Sequence, residues 1–224
     1  MKKNNIDSIV LYKKKQLILL VVISFWCTLP ILASCLDNET TQIKTIKVLF
    51  IGNSLTYYNE LPKLVKERAM LQNIHLKADV VAYPNYAIED HWNDGDVQKL
   101  IANNNYHFVF IQQGPSSQAI GRTMLFEYGK KFKKTCHDNN SKLVYFMVWP
   151  SKTYYRTFDR VIANYKDAAL ANNAIICPVG AIWKANFDAT GDLSYYGIDG
   201  FHPSLKGSKV AAQTIITTLI ENLK

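Results

Sequence analysis

Cysteine is scarce in this chain, with four residues in 224. None stands beside a histidine at a ligand-like spacing, which argues against a zinc site. There is no internal repeat and no low-complexity tract, so neither a solenoid nor a disordered polymer is expected. Charged residues make up only 20 % against 48 % apolar ones, a globular balance. The net charge of +8 could suggest a nucleic-acid partner. Its distribution argues otherwise. Lys2, Lys3, Lys13, Lys14 and Lys15 face Asp7 alone in residues 1–34, so about +4 of the +8 sits there. The remainder holds no Lys/Arg stripe with interleaved aromatics, and no nucleic acid is expected to bind. The length suits one domain with a real core.

What is present first is an export signal. Residues 1–15 are polar and basic, residues 16–33 form an apolar run, and Leu32-Ala33-Ser34-Cys35 follows at once. A basic start, an apolar stretch and small residues before a cut are the parts of a signal peptide. The run is also of borderline length for a transmembrane anchor, but its ending resembles the bacterial lipobox. That resemblance implies a signal peptide over 1–34 and lipid on Cys35, tethering an exported chain to the membrane of the cell envelope. Residues 35–45 then read as a polar linker, and 46–224 as the folded domain. Cys136 and Cys177 remain in that domain. They could pair in an oxidising compartment or serve as small buried hydrophobes.

Within 46–224, short apolar runs alternate with helical patterns. The runs are 46–52, 76–82, 108–113, 142–149 and 174–179, nearly continuous in apolar residues, as strands buried on both faces are. Helices are expected over 60–72, 95–104, 119–136, 153–172 and 205–223, the last with Ser204 as N-cap. This alternation predicts an α/β fold, a five-stranded parallel sheet with helices on both faces. In such sheets, functional residues gather in the loops beyond the C-terminal strand ends.

Ser54 stands at one of those ends, two residues after Gly52, which permits a tight turn. Serine is a weak nucleophile and needs a neighbouring base. Asp199 and His202 lie three apart in the connection before the last helix. A turn at Asp199-Gly200 could fold the carboxylate back onto the imidazole, leaving the other ring nitrogen free to take a proton. Nucleophile, base and orienting acid are then all placed at the same rim.

Gly52-Asn53-Ser54-Leu55-Thr56 together with Asp199-Gly200-Phe201-His202-Pro203-Ser204 resembles the SGNH (GDSL-like) hydrolase superfamily. The phrases at 178–183 and 207–212 support the resemblance, which runs from about residue 46 to the C-terminus. It implies a three-layer flavodoxin-like fold, ester hydrolysis through an acyl-enzyme on Ser54, and neither metal nor cofactor. It also implies an oxyanion hole built from the N–H of Ser54 and from two middle blocks. The second block has no Gly here, and Asn85 falls nearest its place. The third lacks its usual Asn, for which Gln113 or Ser116 could substitute. Related esterases of acetylated sugars carry a Gln-Gly-Glu-Ser-Asn phrase that 113–117 partly echoes, and Gln113 is the favoured substitute. A missing donor can cost on the order of 100–1,000-fold in rate.

The expected substrate is a small acyl ester, acetyl for instance, on a carbohydrate. The same residues would also serve acyl transfer to an alcohol. The departures in the middle blocks leave a third reading, a non-catalytic cell-surface glycan-binding protein. His75 and His107 sit at strand beginnings, and His137 ends a helix where a cation suits the dipole; all three read as structural. His91 and Trp92 either line a cleft or cover the sheet. Trp149, Tyr154 and Tyr155 are placed either to stack on sugar rings or to pack the rim.

Overall fold

The computed structural model describes residues 44–223. The expected signal peptide, Cys35 and most of the expected linker lie outside the described residues. Five strands form one sheet: β1 (Lys44–Gly52), β2 (Ile74–Ala82), β3 (Phe108–Ile111), β4 (Lys142–Phe146) and β5 (Ile175–Cys177). Their order is β2-β1-β3-β4-β5, and every pairing is parallel. The fold is thus the α/β class that the alternating runs imply.

The helices are α1 (Ser54–Tyr57), α2 (Leu61–Met70), α3 (Ile88–Asp94), α4 (Asp96–Asn104), α5 (Ala119–Asp138), α6 (Phe158–Ala171), α7 (Val179–Thr190) and α8 (Leu205–Glu221). Short 3₁₀ turns cover Tyr58–Glu60 and Lys152–Thr157. α2 packs on α8, while α3, α4 and α6 pack on α5. Val48, Leu49, Phe50 and Ile51 of central β1 are all at most 1 % exposed. Successive strand residues point to opposite faces, so helices cover both. Edge strand β2 instead alternates between buried and exposed positions at its start, as an edge strand covered on one face does.

Several boundaries differ from the sequence reading. Lys44 and Thr45, expected in the linker, open β1 and pair with Ile74 and His75. β3 and β4 end at Ile111 and Phe146, before the apolar runs do. Residues 147–149 stay buried as a rim segment, with Met147 N–H still donating to Cys177 O at 3.0 Å. The stretch 153–157 is 3₁₀ rather than α. α1, α3 and α7 were not expected. α7 starts where Pro178 ends β5, and it buries Val179, Trp183 and Phe187, four residues apart on one stripe. Ser204 caps α8 as expected, its Oγ accepting from Gly207 N–H at 3.1 Å. Cys136 and Cys177 are free and buried, so the pairing reading gives way to the buried-hydrophobe one.

Candidate active site

β1 delivers its C-terminal residue, Gly52, to the sheet rim, and the chain turns at once into α1. A Cβ at Gly52 would run into Thr56 Oγ1 and Gln112 Oε1, so any other residue would have to displace both side chains. Asn53 caps α1, its Oδ1 accepting from Leu55 N–H at 3.1 Å. Its Nδ2 donates to Tyr86 O at 3.0 Å, tying the turn to the loop after β2. Gln112 binds it from the other side. Gln112 Oε1 accepts from Asn53 N–H and from the Thr56 hydroxyl, each at 2.8 Å. Beneath, the Gly52 carbonyl accepts from His91 Nε2 at 2.8 Å. A carbonyl only accepts, so this fixes the proton on Nε2 of His91. Burial pushes the His91 pKa down, which keeps that ring neutral. Ser54 is therefore held from three sides.

The opposing loop is pinned as firmly. Gly200 takes φ +67°, the left-handed turn that glycine makes at least cost. Asp199 Oδ1 accepts from the N–H groups of Phe201 and His202, both at 2.9 Å. Its Oδ2 lies 2.6 Å from His202 Nδ1. Partial burial pushes the Asp199 carboxyl up, but the hydrogen bonds from the His202 ring and the two amides outweigh it, and the pKa falls below the ordinary carboxylate value. Trp149 Nε1 donates to Phe201 O at 3.0 Å, and Gly197 N–H to His202 O at 2.7 Å. Asn59, at φ +52°, donates its amide to Pro203 O and Ser208 Oγ, both at 2.9 Å. Its neighbour Tyr58 stacks on the His202 ring, centroids 4.5 Å apart and planes 20° apart.

These two supports bring His202 Nε2 to 2.9 Å from Ser54 Oγ across 148 residues of chain. With Nδ1 donating to Asp199, Nε2 is the acceptor facing the hydroxyl. A hydroxyl, an imidazole and a carboxylate in that sequence can move a proton off the hydroxyl and return it to a leaving group.

The middle blocks are arranged differently from the expectation. Asn85 does take a positive φ, +62°. Gln113 and Ser116, however, form a cluster of their own. Gln113 Nε2 donates to Ser116 Oγ at 2.6 Å and to Gly121 O at 3.0 Å, and the Ser116 hydroxyl donates to Gly114 O at 3.0 Å. Every donor hydrogen of the two side chains has an acceptor, so in this arrangement neither offers one to an oxyanion. The neighbouring Gln112, not weighed from the sequence, is the glutamine that touches the turn carrying Ser54. The doubled Gln just after β3 was the available signal, and two adjacent glutamines do not by themselves say which one faces that turn. Asn53, Tyr58 and Asn59 were also missed.

The remaining candidates separate cleanly. His91 is 1 % exposed and buttresses Gly52, while Trp92 packs edge-on against Phe132 of α5. Trp149 is fully buried and stacks on Trp183 at 3.6 Å. Tyr155 is half-buried with its hydroxyl on Asp188, whereas Tyr154 is 60 % exposed at the rim. His107 Nδ1 accepts from Lys47 N–H at 3.0 Å, His75 lies 3.5 Å from Thr45 Oγ1, and His137 lies beside Asp138; all three are far from the rim. Among the described residues no three His, Cys, Asp or Glu side chains cluster as metal ligands would.

No family model matches the chain, and no curated protein matches it. Solved structures do. A structure described as an SGNH hydrolase from Slackia heliotrinireducens is 22 % identical, with TM-score 0.68, covering 79 % of this chain and 100 % of that one. A family 3 carbohydrate esterase from Clostridium thermocellum is 16 % identical, with TM-score 0.62 over 80 % and 98 %. The lipase/acylhydrolase from Enterococcus faecalis is 16 % identical, with TM-score 0.63 over 78 % and 95 %. The fold is that of the SGNH hydrolases. At these identities the likeness speaks for architecture, and the chemistry must be argued from this chain's own residues.

Proposed function

We propose that this chain is a serine esterase that removes a small acyl group, acetyl for instance, from a carbohydrate. The observation that carries the reading is the linked geometry of Ser54 Oγ, His202 Nε2, His202 Nδ1 and Asp199 Oδ2, at 2.9 Å and 2.6 Å. Ser54 Oγ attacks the ester carbonyl and its proton passes to His202 Nε2. The carbonyl π pair moves onto oxygen. When that oxyanion collapses, the C–O bond to the alcohol breaks and His202 returns the proton to the departing oxygen. Water then repeats the sequence on the acyl-enzyme and frees the acid. Asp199 holds the ring and balances the imidazolium. The backbone N–H groups of Ser54 and of the Asn85 turn are the donors we assign to the oxyanion, since the side chains of Gln113 and Ser116 are committed elsewhere. The carbohydrate part draws support from the structural likeness to a carbohydrate esterase.

The test is hydrolysis of p-nitrophenyl acetate by the full chain. Wild type should turn it over, and Ser54→Ala should lose activity by at least about 1,000-fold. Equal slow rates would sink the reading. A second reading follows from the committed donors of Gln113 and Ser116: a carbohydrate-binding protein with an inert site. A fluorophosphonate probe decides between them, because covalent labelling at Ser54 excludes inertness.

We further propose that the chain is exported and held at the cell envelope by lipid on Cys35. The basic start, apolar run and Leu-Ala-Ser-Cys ending support this. Mass spectrometry of the protein from its native membrane should find a diacylglyceryl group on an N-terminal Cys35. An intact Met1 would overturn it.

A further inference from the structure

A cleft of about 560 Å³ opens at the same rim, between the loop after β3 and the 3₁₀ turn before α6. That volume is in the range of small-molecule sites. Its walls include Pro115, Ser117 and Gln118 on one side, Ser151 and Tyr154 on the other, and Phe201 at the end. We propose that this cleft seats the alcohol portion of the ester, and that this portion is an uncharged, hydroxyl-rich ring of the pyranose kind, laid against Tyr154. The proposal rests on the reading of Ser54 as nucleophile and His202 as base.

Two arguments carry it. The first is where the leaving group must be. The departing oxygen takes its proton from His202 Nε2, so the alcohol lies on the His202 side of the tetrahedral carbon. Phe201 is the adjoining residue, and its ring meets His202 edge-on with centroids 5.2 Å apart and planes at 68°. The end wall of the cleft is thus the proton donor's own neighbour, held in place by Trp149 Nε1 on its carbonyl.

The second argument is the chemistry of the walls. No Lys, Arg, Asp or Glu lines the cleft, so a carboxylate, phosphate or ammonium group would find no counter-charge there. Tyr154 is 60 % exposed, yet its backbone is fixed at both ends. Its N–H donates to Ser151 O at 2.9 Å, and its carbonyl accepts from Thr157 Oγ1 at 2.8 Å. An exposed aromatic on a rigid turn is a platform for the C–H face of a sugar ring. The side chains of Ser117, Gln118 and Ser151 engage no hydrogen bond within the described residues and surround that platform with donors and acceptors for ring hydroxyls. A purely aliphatic alcohol would make no use of these groups.

The experiment compares methyl β-xylopyranoside monoacetate with ethyl acetate, whose alcohol is too short to reach Tyr154. The full chain is used as wild type, Tyr154→Ala and Tyr154→Trp. The alanine variant should raise KM for the sugar ester by about tenfold and leave ethyl acetate kinetics unchanged. Tryptophan should restore the sugar-ester KM to within about twofold of wild type. An equal effect on both esters, or on neither, would overturn the cleft assignment, as would wild type hydrolysing only ethyl acetate. If wild type hydrolyses neither ester and the fluorophosphonate fails to label Ser54, the esterase reading itself has failed. Labelling of Ser54 with an unresponsive Tyr154 variant sinks the cleft assignment alone.

Discussion

The side-chain oxygen of Gln112 accepts the backbone N–H of Asn53 at 2.8 Å, joining the end of β3 to the turn that carries Ser54. Both groups are buried, so water cannot replace either one. Gln112→Leu keeps the volume and strands that N–H together with the Thr56 hydroxyl. We expect a loss of about 1–3 kcal/mol in urea unfolding. Fluorophosphonate labelling of Ser54 should slow along with it, because the nucleophile turn loses one of its three supports. Unchanged stability and labelling would show that the bond is incidental.

Asp199 Oδ2 lies 2.6 Å from His202 Nδ1, and in the proposed mechanism it orients the ring and balances the imidazolium that forms. Asp199→Asn retains an acceptor for the two amides but removes the negative charge and can favour the wrong tautomer. The expected outcome is a fall in kcat of about 100- to 10,000-fold with KM within a few-fold of wild type. A large rise in KM with kcat intact would assign Asp199 to substrate binding instead.

Lys206 first, and then Ser194, hold the Asp192 carboxyl at about 2, against an ordinary 3.8. The Lys206 ammonium lies at 2.7 Å, and Ser194 contributes its N–H at 2.8 Å and its hydroxyl at 2.9 Å. A depressed carboxylate pKa contributes stability that is fully present above the unfolded value and disappears as pH falls through the folded one. Asp192→Asn should therefore lower the urea midpoint at pH 7, and the gap to wild type should shrink between pH 4 and pH 2. A gap independent of pH would mean that the turn, not the charge, holds this segment.

Burial pushes the Cys136 and Cys177 thiols up to about 12 each. The thiolate is the reactive form, so both should resist iodoacetamide at pH 8 in the native protein and react in urea. Mass spectrometry of the two peptides reads this directly. Rapid native labelling of either would show that its environment opens.

The strand order of the chain was readable, and its sheet order was not. Five apolar runs reported five strands because a central strand must be apolar on both faces, and Val48 to Ile51 are buried on both. The same rule overran β3 and β4. Residues 147–149 are as apolar and as buried as a strand, but they lie past the last β3–β4 rung. Helix α7 went unseen although Val179, Trp183 and Phe187 repeat every four residues, because Pro178 and the apolar run before it read as a strand end. Short α3 offers less than two turns of pattern, and its start depends on Asp90 accepting from Ala87 N–H at 2.8 Å.

The sequence by itself determined the class of fold, the rim at which chemistry would gather, and the three residue types on offer in Ser54, Asp199 and His202. Those follow from local hydrophobic period and from turn residues, which act within a few positions. Only the tertiary structure decided that Ser54 Oγ and His202 Nε2 meet at 2.9 Å. It also decided that Gln112, not Gln113, grips the nucleophile turn, and that Trp149 is core while Tyr154 stands free. The physical reason is common to all of these. Which of two neighbouring side chains faces a site depends on how a strand end twists and on what packs beside it. Contacts across 148 residues are set by the packing of the whole sheet and its helices.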